Sequence, residues 1–238
     1  MKIETQNIYN SKKPANYAQI QIERSMSKIF SVKPESFYAP VVAELNSRAN
    51  LWAQDREKLS MICMGTRNNA ERDIFGYLTG IKAVFSLDIA DNAIHELRSD
   101  LVLERAYQGF LQNEPDPNSV LSREEFAKLF LSFYTPDFVM DFTSLPENWT
   151  DKWDFLYSNS LDHSYDPTAT FREWVRAVKT GGFLALGFSL EEEASTTDPS
   201  AFKKQDILKF LSAEVNVRCL STVQEGGFEN FIIKKIGM

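Results

Sequence analysis

The chain has little with which to build a metal centre or a disulfide framework. Of its 238 residues only two are cysteine and two histidine. Cys63 and Cys219 both fall in strand-like runs, which favours two buried thiols in a reducing compartment over a disulfide or a metal site. No apolar run reaches the length of a membrane-spanning helix. Residues 1–21 are polar and lack the apolar core of a signal peptide, so a soluble, cytoplasmic protein with no membrane partner is expected. Basic residues are also short: 26 Lys and Arg face 33 Asp and Glu, a net charge of −7 with no basic stripe. That balance argues against nucleic acid as the main partner.

What the chain does have is a hydrophobic fraction of 43%, ample for a sizeable core, at a length that suits one α/β domain with an appendage. Its organising stretch is Ser60 to Asp88. Ser60-Met61-Ile62-Cys63-Met64 is a short apolar run that breaks into a turn at Gly65. The turn Gly65-Thr66-Arg67-Asn68-Asn69 leads into a helix starting near Ala70, and Ala83-Val84-Phe85-Ser86-Leu87 is a second strand-like run ending in an acid, Asp88. Strand, tight turn, helix and acid-terminated strand make one βαβ unit suited to a ligand with an adenosine-type ribose. Asp88 lies 23 residues past Gly65, close to the roughly 20 expected for a ribose-binding acid.

Before this unit, residues 1–57 read as a polar arm followed by a helical appendage or lid. One helix is expected from Tyr17, with Ile22, Met26, Ile29 and Phe30 at helical spacing. A second runs from near Pro40 to about Arg56 and presents Val41, Val42, Leu45, Ala49, Leu51 and Trp52. Residues 58–238 form the main domain, with a helical insertion at about 93–135. Within the insertion a crossover helix is expected from Ala93 to about Phe110. Ser122-Arg123-Glu124-Glu125 is a capping-box-like start to another helix, whose stripe of Phe126, Leu129, Phe130 and Phe133 reads as core packing. Beyond it come strands at Asp137–Asp141 and Trp153–Ser160, and a helix over Phe171–Val178 stopped by Gly181-Gly182. A buried strand Phe183–Phe188, a helix from Lys204, and two strands joined through Gly226-Gly227 follow.

This order of elements resembles the class I S-adenosylmethionine-dependent methyltransferases over roughly residues 58–236. Cys63 to Asn69 is similar to the family's first motif, Asp88-Ile89 to the ribose acid and its neighbour, and Asp141-Phe142 to the pair after the third strand. Trp153 to Leu186 follows the pattern after the fourth strand. The resemblance implies an α/β, Rossmann-like, seven-stranded mixed sheet whose last strand is antiparallel, with helices on both faces. It implies S-adenosyl-L-methionine as cofactor and S-adenosyl-L-homocysteine as product. Carried onto this sequence, the cofactor-binding residues are Met64, Gly65, Thr66, Arg67, Asn69, Asp88, Ile89, Asp141, Phe142, Asn159 and Ser160. The chain departs from the family at Cys63, where an acid is usual, and at Arg67 and Asn69, where glycines are common. Arg67 is able to grip the methionine carboxylate with two hydrogen bonds, or to pair with Glu71 on a helix face.

A sulfonium carries its own activated methyl group, so the protein's task is positioning, with a base added where the acceptor is an oxygen. His163, just past the fourth strand, is the candidate base and Asp162 the candidate residue to orient it. An imidazole's ordinary pKa of about 6.5 suits that work. His95 is expected to be structural or exposed. Glu191-Glu192-Glu193 reads as a solvated loop, so no metal is expected. The aromatic additions, without a basic stripe, suit a small-molecule or glycan-type acceptor, with oxygen the expected atom. Two other readings stand beside this one. A nicotinamide-dependent reductase shares the βαβ logic but would need the missing Gly-x-Gly-x-x-Gly fingerprint. A methyltransferase-like fold can also serve as a binding or assembly module without catalysis.

Overall fold

The computed structural model describes residues 2, 3, 6, 7, 9–27, 31–90, 100–113, 121–190, 193–196, 198–225 and 227–237. In chain order, β1 (Gln6–Asn7), α1 (Tyr17–Ser27) and α2 (Glu35–Ala49) precede the first βαβ unit, made of β2 (Ser60–Met64), α3 (Ala70–Thr79) and β3 (Ala83–Asp88). Next come α4 (Asp100–Asn113), α5 (Arg123–Tyr134) and the short β4 (Phe138–Val139). Then follow β5 (Trp153–Ser158), α6 (Pro167–Ala177), β6 (Val178–Ser189), β7 (Ser200–Ala201), α7 (Lys204–Ala213), β8 (Val217–Glu225) and β9 (Phe228–Lys235).

The main sheet has seven strands in the order β4-β3-β2-β5-β6-β9-β8. Pairings from β4 to β6 are parallel, and β9 runs antiparallel between β6 and β8. This is the mixed α/β sheet expected of the sequence. Because β3 and β5 flank β2 on opposite sides, the chain reverses its winding direction at β2. The carboxyl ends of β2 and β5 therefore form the topological switch point, where such sheets bind ligands.

Both faces of the sheet are covered, and β2 shows why. Its alternate residues Met61 and Cys63 join one core with Phe37, Tyr38, Val41, Val42 and Leu45 of α2 and Phe75 of α3. Ile62 and Met64 join the other, with Trp149, Trp153, Trp174 and Phe210. α2 is thus part of one face of the sheet. It begins at Glu35 rather than near Pro40, because Pro34 already supplies an extended N-cap, and Pro40 lies inside the helix. It ends at Ala49, where Asn50 takes a left-handed conformation (φ 50°) and donates to the Asn46 and Ser47 carbonyls. The 3₁₀ turn that follows buries Leu51 and turns Trp52 outward, 72% exposed, with the Arg56 guanidinium 5.0 Å from its ring.

Two further expectations are corrected. α6 stops at Ala177, and Gly181-Gly182 do not end it. They sit within β6, where the register against β5 shifts, and a Cβ at Gly182 would lie 2.7 Å from the Asp154 carbonyl oxygen. The capping box at Ser122 and Glu125 is present, but the stripe it introduces is not core: α5 buries no residue fully and Leu129 is 60% exposed. Phe126 instead meets Tyr107 and Phe110 of α4 at centroid distances of 5.3 and 5.2 Å. α4 is described only from Asp100 onward. His95, Met26's side chain, Ile29, Phe30, Glu191, Glu192 and Gly226 lie outside the described residues. No helix among the described residues is long and apolar enough to cross a membrane.

Candidate functional site

Met64 of β2 pairs with Leu87 of β3 on one side and Ser158 of β5 on the other, which sets Gly65, Asp88 and Asn159 around one cleft. Gly65 has φ 71° and its N–H donates to the Leu87 carbonyl (2.7 Å). A Cβ there would sit 2.7 Å from both Cβ and Oγ of Ser160, so the turn closes only on glycine. Arg67 is also left-handed (φ 56°), and its N–H donates to Asp88 Oδ2 (2.8 Å), while the Ala90 N–H donates to Oδ1 (2.9 Å). Asp88 is 6% exposed. Burial pushes its pKa up, and the two backbone donors pull against that.

Two cavities meet at this turn. The smaller, about 20 Å³, is lined by Gly65, Arg67, Asp88, Ile89, Asp141, Phe142 and His163 on the sheet side, and by Tyr17, Gln21 and Arg24 of α1 on the other. It has room for about one water. The larger, about 350 Å³, is lined by Gly65, Thr66, Arg67, Asn159, Ser160, Asp162 and His163, with Arg24, Lys33, Tyr38 and Glu71 among the additional residues. Met64 and Asn69 line neither. The Met64 side chain alternates into the core and is fully buried. Asn69 is tied to the insertion: its Nδ2 donates to the Ser132 and Thr135 carbonyls (2.8 and 2.7 Å), and its Oδ1 accepts from Ser86 Oγ (2.6 Å). Its side chain is spent on anchoring the carboxyl end of α5.

Asp141 is engaged by the amino-terminal arm. Lys13 Nζ lies 2.7 Å from its Oδ2, and Oδ1 accepts from the Thr143 N–H (2.9 Å) and hydroxyl (2.6 Å). That hydrogen bond to Asp141, outweighing some loss of hydration, holds the Lys13 pKa above its ordinary value. Phe142 is buried against Trp174, whose indole N–H donates to the Phe142 carbonyl (2.9 Å).

His163 closes the 3₁₀ turn Leu161–His163. Its Nε2 lies 2.9 Å from Asp198 Oδ1 and 3.8 Å from Asp162 Oδ1, so the carboxylate that pairs with the ring is Asp198 rather than Asp162. Neighbours in a tight turn point apart, and Asp162 instead accepts the His163 backbone N–H (3.1 Å). Asp162, His163 and Asp198 each bring a potential metal-ligand atom within 4.8 Å of the others. The Arg24 guanidinium, 2.6 Å from Asp198 Oδ1, already supplies the cation there.

Glu71, in the first turn of α3, is 8% exposed. Its Oε1 accepts from Tyr38 Oη (3.1 Å) and Asn159 Nδ2 (3.2 Å), and its Oε2 is buried with no hydrogen-bond partner. Burial raises its pKa to about 7, against the pull of the Tyr38 hydroxyl and of Arg67 and Lys33. Sequence reasoning missed Lys13, Arg24, Glu71 and Asp198 as site residues. The one available signal was the spacing of Tyr17, Gln21 and Arg24, which places three polar-tipped side chains on one face of α1.

No family model matches the chain, and no curated protein matches it. Among solved structures it is similar to a SAM-dependent methyltransferase from Aquifex aeolicus, at 15% identity over 89% of this chain and 98% of that one, with a TM-score of 0.53. It is similar to the Burkholderia thailandensis 1,6-didemethyltoxoflavin-N1-methyltransferase, solved with 1,6-didemethyltoxoflavin and S-adenosylhomocysteine bound. That match has 9% identity over 94% and 91% of the two chains and a TM-score of 0.55. It is also similar to the [4+2]-cyclase SpnF, at 12% identity over 84% and 81%, with a TM-score of 0.51. At such identities the likeness shows the fold alone, which is that of the class I S-adenosylmethionine-dependent methyltransferases.

Proposed function

We propose that the chain binds S-adenosyl-L-methionine across the switch point and directs its methyl group to a small-molecule or glycan-type acceptor, at oxygen. The observation that carries this reading is convergence. Gly65, Asp88, Asp141-Phe142 and Asn159-Ser160 come from the ends of four different strands and line two cavities that share Arg24, Gly65, Arg67 and His163. The donor set fits the cofactor: Asp88 presents a buried carboxylate to the ribose side, and Phe142 and Ile89 offer apolar cover for the adenine. Asp141 offers an acceptor to the adenine amino group once Lys13 is displaced. Arg67 faces the methionine carboxylate.

Bound there, the cofactor supplies an electrophilic methyl whose transfer is an in-line displacement governed by positioning. His163, held by Asp198, takes the proton of a hydroxyl acceptor. The amino-terminal arm and α1 act as the lid, since α1 lines both cavities, whereas α2 belongs to the core. The acceptor is selected by α1 and residues 31–33, because no described residue of α4 or α5 lines either cavity. A cavity of about 350 Å³ lies in the range of small-ligand sites.

Calorimetry with S-adenosylmethionine, S-adenosylhomocysteine and NAD tests the reading. S-adenosylhomocysteine should bind, and Asp88→Ala should weaken it roughly 10- to 100-fold by removing charge-assisted hydrogen bonds. Tight NAD binding without either adenosyl ligand would overturn it. A second reading, a binding module without catalysis, draws support from the small volume, about 20 Å³, of the smaller cavity. It predicts no methyl transfer across broad acceptor panels while the surface remains essential for partner binding.

A further inference from the structure

The first motif of this chain lacks its carboxylate: the position usually acidic is Cys63, fully buried in the core with its thiol pushed up by burial. A carboxylate nevertheless reaches the same cavity from the next element. Glu71 projects from the first turn of α3 beside Gly65, Arg67 and Asn159. One oxygen is held in place by Tyr38 and Asn159, and the other is buried without a hydrogen-bond partner. A carboxylate buried beside a polar cavity with one oxygen unfilled is built for a cationic donor, because an unpaired buried acceptor costs free energy that an incoming N–H recovers.

We propose, resting on the cofactor reading above, that Glu71 is the counter-charge for the α-ammonium group of the cofactor's methionine end, replacing the carboxylate absent at Cys63. The geometry suits a zwitterion. An ammonium brings three donors, of which Glu71 Oε2 takes one, and the ligand carboxylate pairs with Arg67, which lines the same cavity, while Lys33 Nζ sits 3.4 Å from the Phe228 ring centroid. The other groups packed around Glu71 do not compete for the role. Tyr38 from α2, Tyr157 from β5 and Cys63 from β2 are all held neutral, their pKa values raised mainly by burial. Asp162 and His163 lie on the same cavity wall. Glu71 itself, raised to about 7, ionises near neutrality in the ligand-free protein, so a bound ammonium should favour its charged form.

The test compares two probes on wild type and Glu71→Gln between pH 5.5 and 8.5: S-adenosylhomocysteine and 5′-methylthioadenosine, which has no amino-acid end. The substitution should weaken S-adenosylhomocysteine roughly 10- to 100-fold and change 5′-methylthioadenosine by less than about twofold. The wild-type preference for S-adenosylhomocysteine should grow as pH rises through about 7, and the variant should lose that rise. Equal losses for both probes would make Glu71 structural and overturn the proposal. So would unchanged binding with lost turnover, which would make it a base. If Glu71→Gln does not fold, the wild-type profile decides alone, and a flat preference refutes the assignment. Wild type binding neither probe would overturn the cofactor reading along with it. Wild type binding both with an indifferent variant overturns only the role of Glu71.

Discussion

Loosening the arm over the smaller cavity should tighten cofactor binding. Adenosine cannot enter about 20 Å³, so the cleft must open, and beside the Arg24–Asp198 pair two further contacts hold α1 and its approach shut. The Lys13–Asp141 pair is 2.7 Å long with Lys13 47% exposed. At that exposure it contributes about 0.2–1 kcal/mol. The Tyr17 hydroxyl donates to the His163 carbonyl at 2.9 Å with the ring 1% exposed, a bond worth about 0.5–1.5 kcal/mol net. Removing both with Lys13→Ala and Tyr17→Phe therefore shifts the opening equilibrium by about 0.7–2.5 kcal/mol, roughly 3- to 70-fold. The Lys13 ammonium lies 5.5 Å from the Tyr17 ring, so the two changes need not add.

When the competent state is the minor one, apparent affinity scales with its population. S-adenosylhomocysteine should then bind the double variant roughly 3- to 70-fold more tightly, with most of the gain in the association rate by stopped flow. Raising the salt should reproduce the Lys13 part in wild type and do little in Lys13→Ala, because screening weakens the exposed pair. A folded double variant with unchanged or weaker binding would refute the argument. It would mean that the arm contributes more to the bound state than it costs in opening.

His163→Ala should cut turnover roughly 10²- to 10⁴-fold at saturating ligands and leave S-adenosylhomocysteine affinity nearly unchanged; turnover within a few-fold of wild type removes His163 from the chemistry. Gly65→Ala forces a Cβ against Ser160 at a positive φ, so it should cost about 2 kcal/mol and lower Tm by about 4–8 °C; calorimetric scanning showing no loss would contradict the close approach. Glu71 has a folded pKa of about 7 against an ordinary 4.5, so the folded state favours its proton. Its stabilising contribution is full below about pH 4.5 and is lost as pH rises through about 7, by about 3 kcal/mol at most. Denaturant unfolding of ligand-free Glu71→Gln should therefore show the variant gaining on wild type from pH 4 to pH 8, and a pH-independent difference would exclude the buried ionisation.

Strand positions were readable because a strand buried on both faces is apolar without interruption, and Phe183–Phe188 or Ser60–Met64 has no other easy fate. Boundaries were less so. Pro34 and Pro40 are both acceptable starts for α2 in isolation, and the choice rests on Phe37 and Tyr38 being wanted in the core beside Phe75 and Tyr157. The glycine pair at 181–182 reads equally well as a helix stop or a strand bulge until Asp154 is known to lie alongside. The α5 stripe has the spacing of a core helix, and only α4 as its neighbour shows that it closes a helix pair.

The site divides along the same line. Gly65, Asp88, Asp141, Asn159 and His163 were legible because each stands at, or within five residues of, the carboxyl end of a strand, and the strand fixes where its end points. Glu71 and Asp198 were not, because their positions depend on contacts far away in sequence. A charged residue in the first turn of a helix is ordinarily solvated and favourable to the helix dipole, and Glu71 alone reads that way. α2 changes its environment by laying Tyr38 across it, so the carboxylate acquires both its burial and one of its two hydrogen bonds from a segment outside the resemblance. α2 therefore does two things at once: it completes one face of the sheet, and it turns a surface acid into a buried one. Tyr38→Phe separates the two. It keeps the ring in the core and removes the donor, so stability should fall by only about 1 kcal/mol while the Glu71 pKa rises above about 7. Carbon-13 detection of the Glu71 carboxyl reads that shift directly, and an unmoved pKa would show that Tyr38 serves only the core.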